Sequence, residues 1–130
     1  TPKMELLKSR FYNDDYKAYG ILKRGVLVFS GWINTEELHY PRIFEKSFPL
    51  KNNEGLIIDQ YCHPDYRGRG FHYLINLYSL LKLYEMKRTK IFVIILSENI
   101  PAFKTQKKSG FKMSKKIRFV KIFNKTLLFN

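Results

Sequence analysis

The fold is decided by residues 59–72, which read Asp-Gln-Tyr-Cys-His-Pro-Asp-Tyr-Arg-Gly-Arg-Gly-Phe-His. They begin within an apolar run, residues 55–62, that predicts a buried strand, and they end where residues 71–86 predict a long helix. Gly68 and Gly70 lack a Cβ atom, so they can adopt a positive φ and let a ligand approach the main chain. The first N–H groups of a helix have no partner within the helix and favour an anion. The stretch therefore predicts a bound phosphate or pyrophosphate.

Two arginines, Arg67 and Arg69, add positive charge beside this turn. Arg-Gly dipeptides also occur in RNA-binding tails and in ordinary turns. The RNA-binding tracts are repeated and disordered, whereas this one occurs once and lies between two strongly apolar segments. We therefore expect the turn to belong to a folded site.

The length and composition predict a single domain. A chain of 130 residues with 45% hydrophobic and 16% aromatic residues can bury a core without cross-links, so we expect one domain over residues 1–130. The single cysteine, Cys62, excludes an internal disulfide and is expected to be reduced and buried. No apolar run approaches the roughly 20 residues needed to cross a bilayer, and the first residues do not form a signal peptide. We therefore expect a cytoplasmic protein.

The net charge of +13 comes from the second half of the chain. Residues 1–66 contain nine basic and nine acidic residues, whereas residues 67–130 contain 15 basic residues against Glu85 and Glu98. Such a half attracts polyanions, which include nucleic acid, a phosphorylated cofactor and an acidic carrier protein. A solvated lysine-rich surface is the alternative interpretation.

Strand and helix signals alternate along the chain, and their succession after residue 55 predicts parallel pairing in that half. Residues 34–53, broken by Pro41 and Pro49, are expected to form a loop with a helical turn near residues 35–38. The predicted elements are a helix over 1–11, strands over 16–22 and 26–33 joined by a turn at 23–25, a strand over 55–62, a helix over 71–86, a central strand over 91–96, a helix over 101–108 that stops at Gly110, an extended segment over 111–123, a turn at 124–125 and a strand over 126–129.

The predicted long helix carries large apolar side chains at helical spacing. This spacing predicts that they pack into the core. They are Phe71, Leu74, Ile75, Tyr78, Leu81 and Tyr84, and Leu77 and Leu80 widen the apolar side.

Two segments together resemble the signatures of the GNAT N-acetyltransferase superfamily. Residues 59–71 resemble its acetyl-CoA-binding signature, in which a hydrophobic strand leads through Arg-Gly-x-Gly into the main helix. Asn99-Ile-Pro-Ala, followed by Ser109-Gly-Phe, is similar to the later signature, in which Asn-x-x-Ala opens a helix that ends in Gly-Phe. The resemblance implies an α/β (α+β) fold whose mixed, strongly twisted sheet is flanked by helices. The sheet is expected to splay after its fourth strand, here residues 55–62.

The resemblance also implies an activity and a set of cofactor contacts. The chain is expected to move an acetyl or other acyl group from coenzyme A to a primary amine of a small molecule or peptide. The pantetheine arm is expected to pair with main-chain groups of the splayed strand and with Asn99, and the pyrophosphate to lie on the amides of the glycine turn. The implied cofactor-binding residues besides Asn99 are Gln60, Tyr61, Cys62, Arg67, Gly68, Arg69, Gly70, Phe71 and His72.

The sequence departs from the family pattern at three positions. His72 stands where the family often has Gly or Ala, and Gln106 stands where a tyrosine often serves as general acid. Ile94 stands where some members carry a glutamate base. The N-terminal part is also short, since members usually have a strand and two helices before the first hairpin. A minimal variant, a fragment and a domain completed by another chain, as in a homo-oligomer, are therefore the open alternatives.

A general base has to be sought elsewhere. Transfer to an amine requires its neutral form, and an amine with a pKa near 10.4 is almost fully protonated at pH 7. Asp59, Glu54 and His63 lie on or beside the splayed strand, and we choose Asp59 as the catalytic residue. Its alternative roles are an anchor for the acceptor's ammonium group and an ordinary salt-bridged strand residue. Tyr61 and Tyr66 are candidate proton donors or packing residues, and the histidines show no metal spacing, which predicts no metal.

Two other classes of function stay open. An inactive binding module with the same fold is motivated by Ile94 and Gln106, and a nucleic-acid-binding protein, the less favoured partner class, is motivated by the basic second half. The positive field favours an amino sugar, a nucleotide-linked amine or a donor on an acidic carrier protein over polyamines and basic peptides.

Overall fold

The computed structural model describes residues 2–39, 47–115, 118–122 and 125–129. Its elements follow the predicted alternation of strands and helices, with most bounds within one residue of those expected. They are helix α1 (Pro2–Phe11), strands β1 (Tyr16–Lys23), β2 (Val26–Asn34), β3 (Glu37–His39), β4 (Ser47–Pro49) and β5 (Glu54–Cys62), a 3-10 turn (Pro64–Tyr66), helix α2 (Phe71–Glu85), strand β6 (Lys90–Val93), helix α3 (Ile100–Lys108) and strands β7 (Arg118–Ile122) and β8 (Lys125–Phe129).

The central sheet has four strands in the order β1-β2-β5-β6. The first two pairings are antiparallel and the third, between β5 and β6, is parallel, as the sequence predicts. Strands β1 and β2 form a hairpin whose turn residues Arg24 and Gly25 have φ of 51° and 79°, the conformation that a two-residue hairpin turn prefers. The mixed α/β sheet with flanking helices confirms the expected fold class.

Helices cover both faces of this sheet. Ile33, Ile57 and Leu83 form the buried centre on the α2 side. Side chains alternate along a strand, so Trp32 points to the other face, where its ring lies 5.1 Å from that of Phe11 at the end of α1. The sheet is therefore the middle of three layers. Within the described residues, no helix is both long and apolar enough to span a membrane.

Two expectations about strands were wrong. Residues 37–39 pair with residues 47–49 as a short antiparallel ladder rather than forming a loop with a helical turn. Strands of only three residues are too short for their alternation of apolar and polar side chains to be detected in a sequence. The expected central strand over 91–96 is shorter, and as Lys90–Val93 it lies last in the strand order. The predicted turn at 124–125 falls partly outside the described residues.

Helix α2 lies on the sheet in an orientation that the sequence did not indicate. Leu83 and Ile75 face the core together with the polar residues Asn76 and Ser79. The large apolar side chains Leu74, Leu77, Tyr78, Leu81 and Tyr84 are instead 42–69% exposed. The expectation that this apolar side packs into the core is wrong for most of its members. The helix is apolar around most of its circumference, so periodicity could not tell which side meets the sheet.

Candidate cofactor site

The sheet opens between β5 and β6. The two strands pair only from Glu54–Lys90 to Ile57–Val93, and β5 then continues to Cys62. On its other side β5 still pairs with β2 through Tyr61 and Cys62. Within the described part of the chain, the edge of β5 that faces β6 has no strand partner beyond Ile57. Its main-chain N–H and C=O groups there are available to an extended ligand.

A β-bulge redirects the side chains in the open half of β5. Trp32 of β2 faces Ile58, but Ser30 faces Tyr61, so β5 holds one extra residue between these pairs. Asp59 lies in this bulge with a φ of 50°, a conformation that is uncommon for a residue other than glycine. The neighbouring side chains consequently point to opposite layers: that of Asp59 contacts α1, whereas that of Gln60 contacts α2.

The glycine turn connects this open half to α2. Gly68 and Gly70 have φ of 74° and 85°, which confirms the conformational reason for two glycines here. A Cβ atom on either glycine would meet no heavy atom within 4 Å, so the space beside the turn is open. Gly70 caps α2 without a side-chain hydrogen bond. No described residue accepts a hydrogen bond from the N–H groups of residues 71–73, which therefore point unpaired into that space.

Both arginines of the turn are exposed. The guanidinium carbon of Arg69 lies 5.2 Å from the ring centre of Tyr66, and Lys23 approaches the same ring at 5.8 Å. These cation–π contacts hold two positive charges beside the turn. The turn thus combines open space, unpaired N–H donors and positive charge, the set of features that a bound phosphate requires.

Three amide side chains, the buried Asn76 and Gln106 and the half-buried Gln60, form a closed ring of hydrogen bonds at the open half of β5. Gln60 Nε2 donates to Asn76 Oδ1 at 2.5 Å, and Asn76 Nδ2 donates to Gln106 Oε1 at 2.8 Å. Gln106 Nε2 completes the ring by donating to Gln60 Oε1 at 3.1 Å. The amide ring therefore ties β5, α2 and α3 together. Asn76 is fully buried and Gln106 nearly so, so each lost hydrogen bond would leave an unsatisfied polar group.

Ser109 sets the direction of this ring. Its Oγ lies 2.9 Å from the carbonyl oxygen of Thr105, so its single O–H donates there, and Oγ can only accept from Asn76 Nδ2 at 3.2 Å. Asn76 must then present its N–H groups to both Ser109 and Gln106. With Asn76 fixed in this way, the hydrogen bonds of the amide ring also fix the orientations of Gln106 and Gln60. Gln60 Oε1 is therefore an acceptor.

The oxygen of Gln60 in turn determines the protonation of His72. His72 Nε2 lies 2.8 Å from Gln60 Oε1, so Nε2 carries the hydrogen and donates it. Its 3.3 Å approach to Gln106 Nε2 is then a contact between two donors and not a hydrogen bond. The ring of His72 stacks on Phe29 with centroids 5.3 Å apart. Burial lowers the pKa of His72 below its ordinary value of 6.5, which favours the neutral form at pH 7.

The carboxylate of Asp59 forms an ion pair with an arginine that the sequence analysis did not single out. Arg10 Nη1 of α1 donates to Asp59 Oδ2 at 2.5 Å, and the Arg10 side chain is almost completely buried. The guanidinium carbon lies 4.9 Å from the ring centre of Tyr16 and 5.6 Å from that of Trp32. Asp59 is thus a salt-bridged strand residue, one of the alternatives that its position in the sequence left open.

The remaining predicted site residues take no part in the amide ring. Asn99 Oδ1 accepts from the N–H of Ala102 at 3.3 Å and so caps α3, the role that an asparagine before Pro101 often has. Tyr61 is exposed, and Cys62 is half-buried rather than fully buried as expected. The structure thus places Gln60 and His72 together in one cluster, whereas Asn99 contacts neither.

Asn76 and Arg10 were missed by the sequence analysis. An asparagine within an apolar helix was the available signal for Asn76, since a buried amide requires partners. Arg10 gave no such signal, because its position in the last turn of a helix is also typical of an exposed residue.

Comparison with solved structures shows what this fold resembles. An aminoglycoside 6′-N-acetyltransferase of Acinetobacter haemolyticus matches with a TM-score of 0.71 and 10% identity, over 92% of this chain and 78% of that one. An aminoglycoside N-acetyltransferase solved in complex with CoA matches with a TM-score of 0.71 and 13% identity, over 92% and 84%. The ribosomal-protein-S18-alanine N-acetyltransferase of Escherichia coli matches with a TM-score of 0.67 and 13% identity, over 88% and 63%.

The chain therefore has the fold of the GNAT N-acetyltransferases. Neither family models nor curated protein sequences give a match. At these low identities the likeness concerns the fold, while the chemistry has to be argued from the residues of this chain.

Proposed function

We propose that the chain transfers an acyl group, in the simplest case acetyl, from coenzyme A to a primary amine of a small molecule or peptide. One observation carries this proposal: the open edge of β5 leads directly into a glycine turn and the unpaired N–H groups of α2. An extended pantetheine arm is complementary to such an edge and a pyrophosphate to such a turn. The similar fold of an acetyltransferase solved with CoA supports the assignment.

In this proposal the main chain does most of the cofactor binding. Pantetheine pairs with residues 60–62, and the pyrophosphate lies on the amides of residues 67–72, with Arg67 and Arg69 beside it. Each charge-assisted hydrogen bond to the pyrophosphate contributes about 1.5–3 kcal/mol. Asn99, whose Oδ1 already caps α3, retains its side-chain N–H groups for the pantetheine arm.

The amine must reach the thioester carbonyl carbon in its neutral form. Nitrogen then bonds to that carbon, the C–S bond breaks, and the coenzyme A thiolate takes up a proton while the new amide loses one. Gln106 cannot supply a proton, and its amide is held in the amide ring. We propose that Asp59 fixes the bulge through Arg10 instead of acting as base, because the guanidinium already binds its carboxylate.

Two measurements test the proposal. Titration calorimetry should detect acetyl-CoA binding, and a thiol-detecting assay with a panel of primary amines should show coenzyme A release that depends on the amine. Absence of binding at millimolar acetyl-CoA contradicts the proposal. Amino sugars belong in the panel, because the positive field of the second half favours them over polyamines.

A second candidate is a binding module that has the fold but no transferase activity. The ion pair of Asp59 with Arg10 and the presence of an amide side chain at Gln106 favour this alternative. The same two assays separate the candidates, since a binding module takes up acetyl-CoA but releases no thiol with any amine.

A further inference from the structure

Helix α2 presents an apolar outer surface that the described elements leave mostly uncovered, the exception being Tyr78, whose ring lies 5.2 Å from that of Tyr19 in β1. We call this surface the outer seam and define it as Leu74, Leu77, Tyr78, Leu81 and Tyr84, which are 54%, 42%, 43%, 51% and 69% exposed. The opposite side of the same helix buries the polar residues Asn76 and Ser79. That side also buries Ile75 and Leu83, so α2 is apolar on both sides, whereas a surface helix normally has a single apolar side that faces the core. The composition of the outer seam therefore indicates burial against something outside the described fold.

The spacing within the outer seam is that of a helix-pairing surface. Leu74, Leu77, Leu81 and Tyr84 follow one another at intervals of three, four and three residues. Such 3-4 spacing keeps one narrow apolar line facing a neighbouring helix over successive turns. The buried side of α2 already packs on the sheet, so this second line is free to receive a helix.

We propose that the outer seam binds the outer seam of a second copy of this chain, with the two α2 helices antiparallel across a two-fold axis. The intervals read the same in both directions, so an antiparallel arrangement places Leu77 opposite Leu81 and Leu74 opposite Tyr84 in both halves. An interface of this kind is self-complementary, as a two-fold dimer requires. Tyr84 falls at the end of the contact, where its hydroxyl can stay in water.

The charge distribution favours a second copy over an anionic partner. The chain carries a net charge of +13, yet the outer seam contains no basic side chain. Lys82, which follows Leu81 in the chain, is paired with Glu85 at 3.4 Å and lies 5.2 Å from the ring centre of Tyr78. A nucleic acid or an acidic protein would therefore find no counter-charge along this surface, whereas an uncharged copy of it matches.

The area of the outer seam suits a moderate, concentration-dependent dimer. The five side chains offer on the order of 400 Å² of apolar surface, about half of what a standard interface removes from each partner. Flanking residues would supply the remainder. The net charge of each copy opposes association, and salt screens that repulsion while strengthening apolar contacts. Dimerisation should therefore become tighter as salt concentration rises.

Sedimentation velocity on the full chain tests this inference. Between about 5 µM and about 500 µM protein we expect a shift from monomer to dimer, and a lower dissociation constant at about 500 mM than at about 50 mM NaCl. L77E and L81E, which place a carboxylate in the contact, should each weaken the dimer by about a hundredfold. L22E alters a side chain that is 71% exposed at the end of the β1–β2 hairpin and should leave the dimer unchanged.

A cross-linking experiment keeps the test independent of variant stability. L77C mixed with L81C should form a disulfide-linked dimer, whereas L22C mixed with L81C and the wild-type chain with its single Cys62 should not. A chain that stays monomeric at every concentration overturns the inference. So does a dimer that L22E weakens as much as L77E, or one that salt dissociates, which would indicate an electrostatic contact or an anionic partner.

Discussion

At the scale of single residues, the ion pair between Arg10 and Asp59 joins α1 to the bulge of β5. Arg10 is buried under Tyr16 and Trp32, and its Nε has no hydrogen-bond partner among the described residues. Its charge is therefore compensated mainly by one carboxylate. The Asp59 side chain is 35% exposed, so removing Asp59 leaves an uncompensated buried charge on Arg10, whereas removing Arg10 leaves an acid that water can still solvate.

This arrangement leads to a prediction that separates a structural from a catalytic Asp59. D59N should lower the free energy of unfolding by about 3–5 kcal/mol, because Arg10 stays buried without its counter-ion. R10M combined with D59N should recover much of that loss. In the double variant kcat should remain within about tenfold of wild type, whereas loss of a true general base costs about 10²–10⁴-fold.

Urea unfolding and the thiol-release assay on the three proteins provide the measurements. A double variant that is stable, binds acetyl-CoA and yet has lost several hundredfold in kcat would return Asp59 to the role of base. Measuring kcat well below the melting temperature of each variant keeps unfolding out of the comparison.

The amide ring leads to a second prediction. N76L keeps the branched shape of Asn76 with bulkier methyl groups, and it leaves Gln60 Nε2 and the buried Gln106 Oε1 without these partners, so we expect a loss of about 2–4 kcal/mol in the free energy of unfolding. S79A, at another fully buried polar position of α2, serves as the matched control and should cost less than about 1 kcal/mol. Equal losses in urea unfolding would show that the amide ring contributes no more than ordinary packing.

His72 gives the protein a pH-dependent stability. Desolvation lowers the pKa of His72 in the folded state, so below about pH 6.5 the unfolded chain binds a proton that the folded chain resists. The free energy of unfolding should therefore fall as pH drops through this value and level off below the folded-state pKa. H72Q should flatten this part of the profile. A profile that H72Q leaves unaltered would contradict this assignment.

At the scale of elements, the glycine turn and the amide ring differ in how far a sequence can reveal them. Gly68 and Gly70 lie two positions apart within one local signal, and their positive φ values agree with it. The amide ring joins residues 60, 76 and 106, and which side of α2 meets the sheet decides whether Asn76 takes part. That choice depends on tertiary contacts, so the helix itself was predictable while its buried side was not.

The strands also have features that the sequence predicts and features that it does not. The bounds of β1, β2 and β5 were predictable to within about a residue, because each has a strong apolar pattern and a turn beside it. The point at which β6 separates from β5 was expected only through the family resemblance. The bulge at Asp59 had no signal in the sequence, since a residue other than glycine adopts positive φ there.

A pair of matched glycine variants tests whether the turn binds the cofactor. G70A and G25A both place a Cβ atom on a residue with positive φ and open surroundings, so each should cost about 1–2 kcal/mol in stability. Gly70 is the residue that caps α2, directly before its first amides, whereas Gly25 lies in the β1–β2 turn. We expect acetyl-CoA affinity to fall about tenfold in G70A, equivalent to one weakened hydrogen bond, and to stay unchanged in G25A. Calorimetric affinities that fall equally, or not at all, would remove the turn from the cofactor site.

At the scale of the whole molecule, the uneven net charge of +13 acts on any anionic ligand that approaches the second half of the chain. Acetyl-CoA carries several negative charges, most of them on its phosphates. Its binding should therefore be assisted by long-range attraction as well as by direct contacts, and the assistance should diminish as salt shortens the range of the field.

Thermal unfolding with and without ligand measures this effect. At a concentration about 100 times its dissociation constant, acetyl-CoA should stabilise the fold by about 2.7 kcal/mol, which raises Tm by on the order of 10 °C. The increase should shrink between about 50 mM and about 300 mM NaCl at fixed ligand concentration. S-acetylpantetheine lacks the pyrophosphate and the nucleotide, so its smaller increase in Tm should not depend on salt. A salt response of the same size for both ligands would mean that the basic half and the glycine turn do not contact the phosphates, and the cofactor would have to bind in some other orientation.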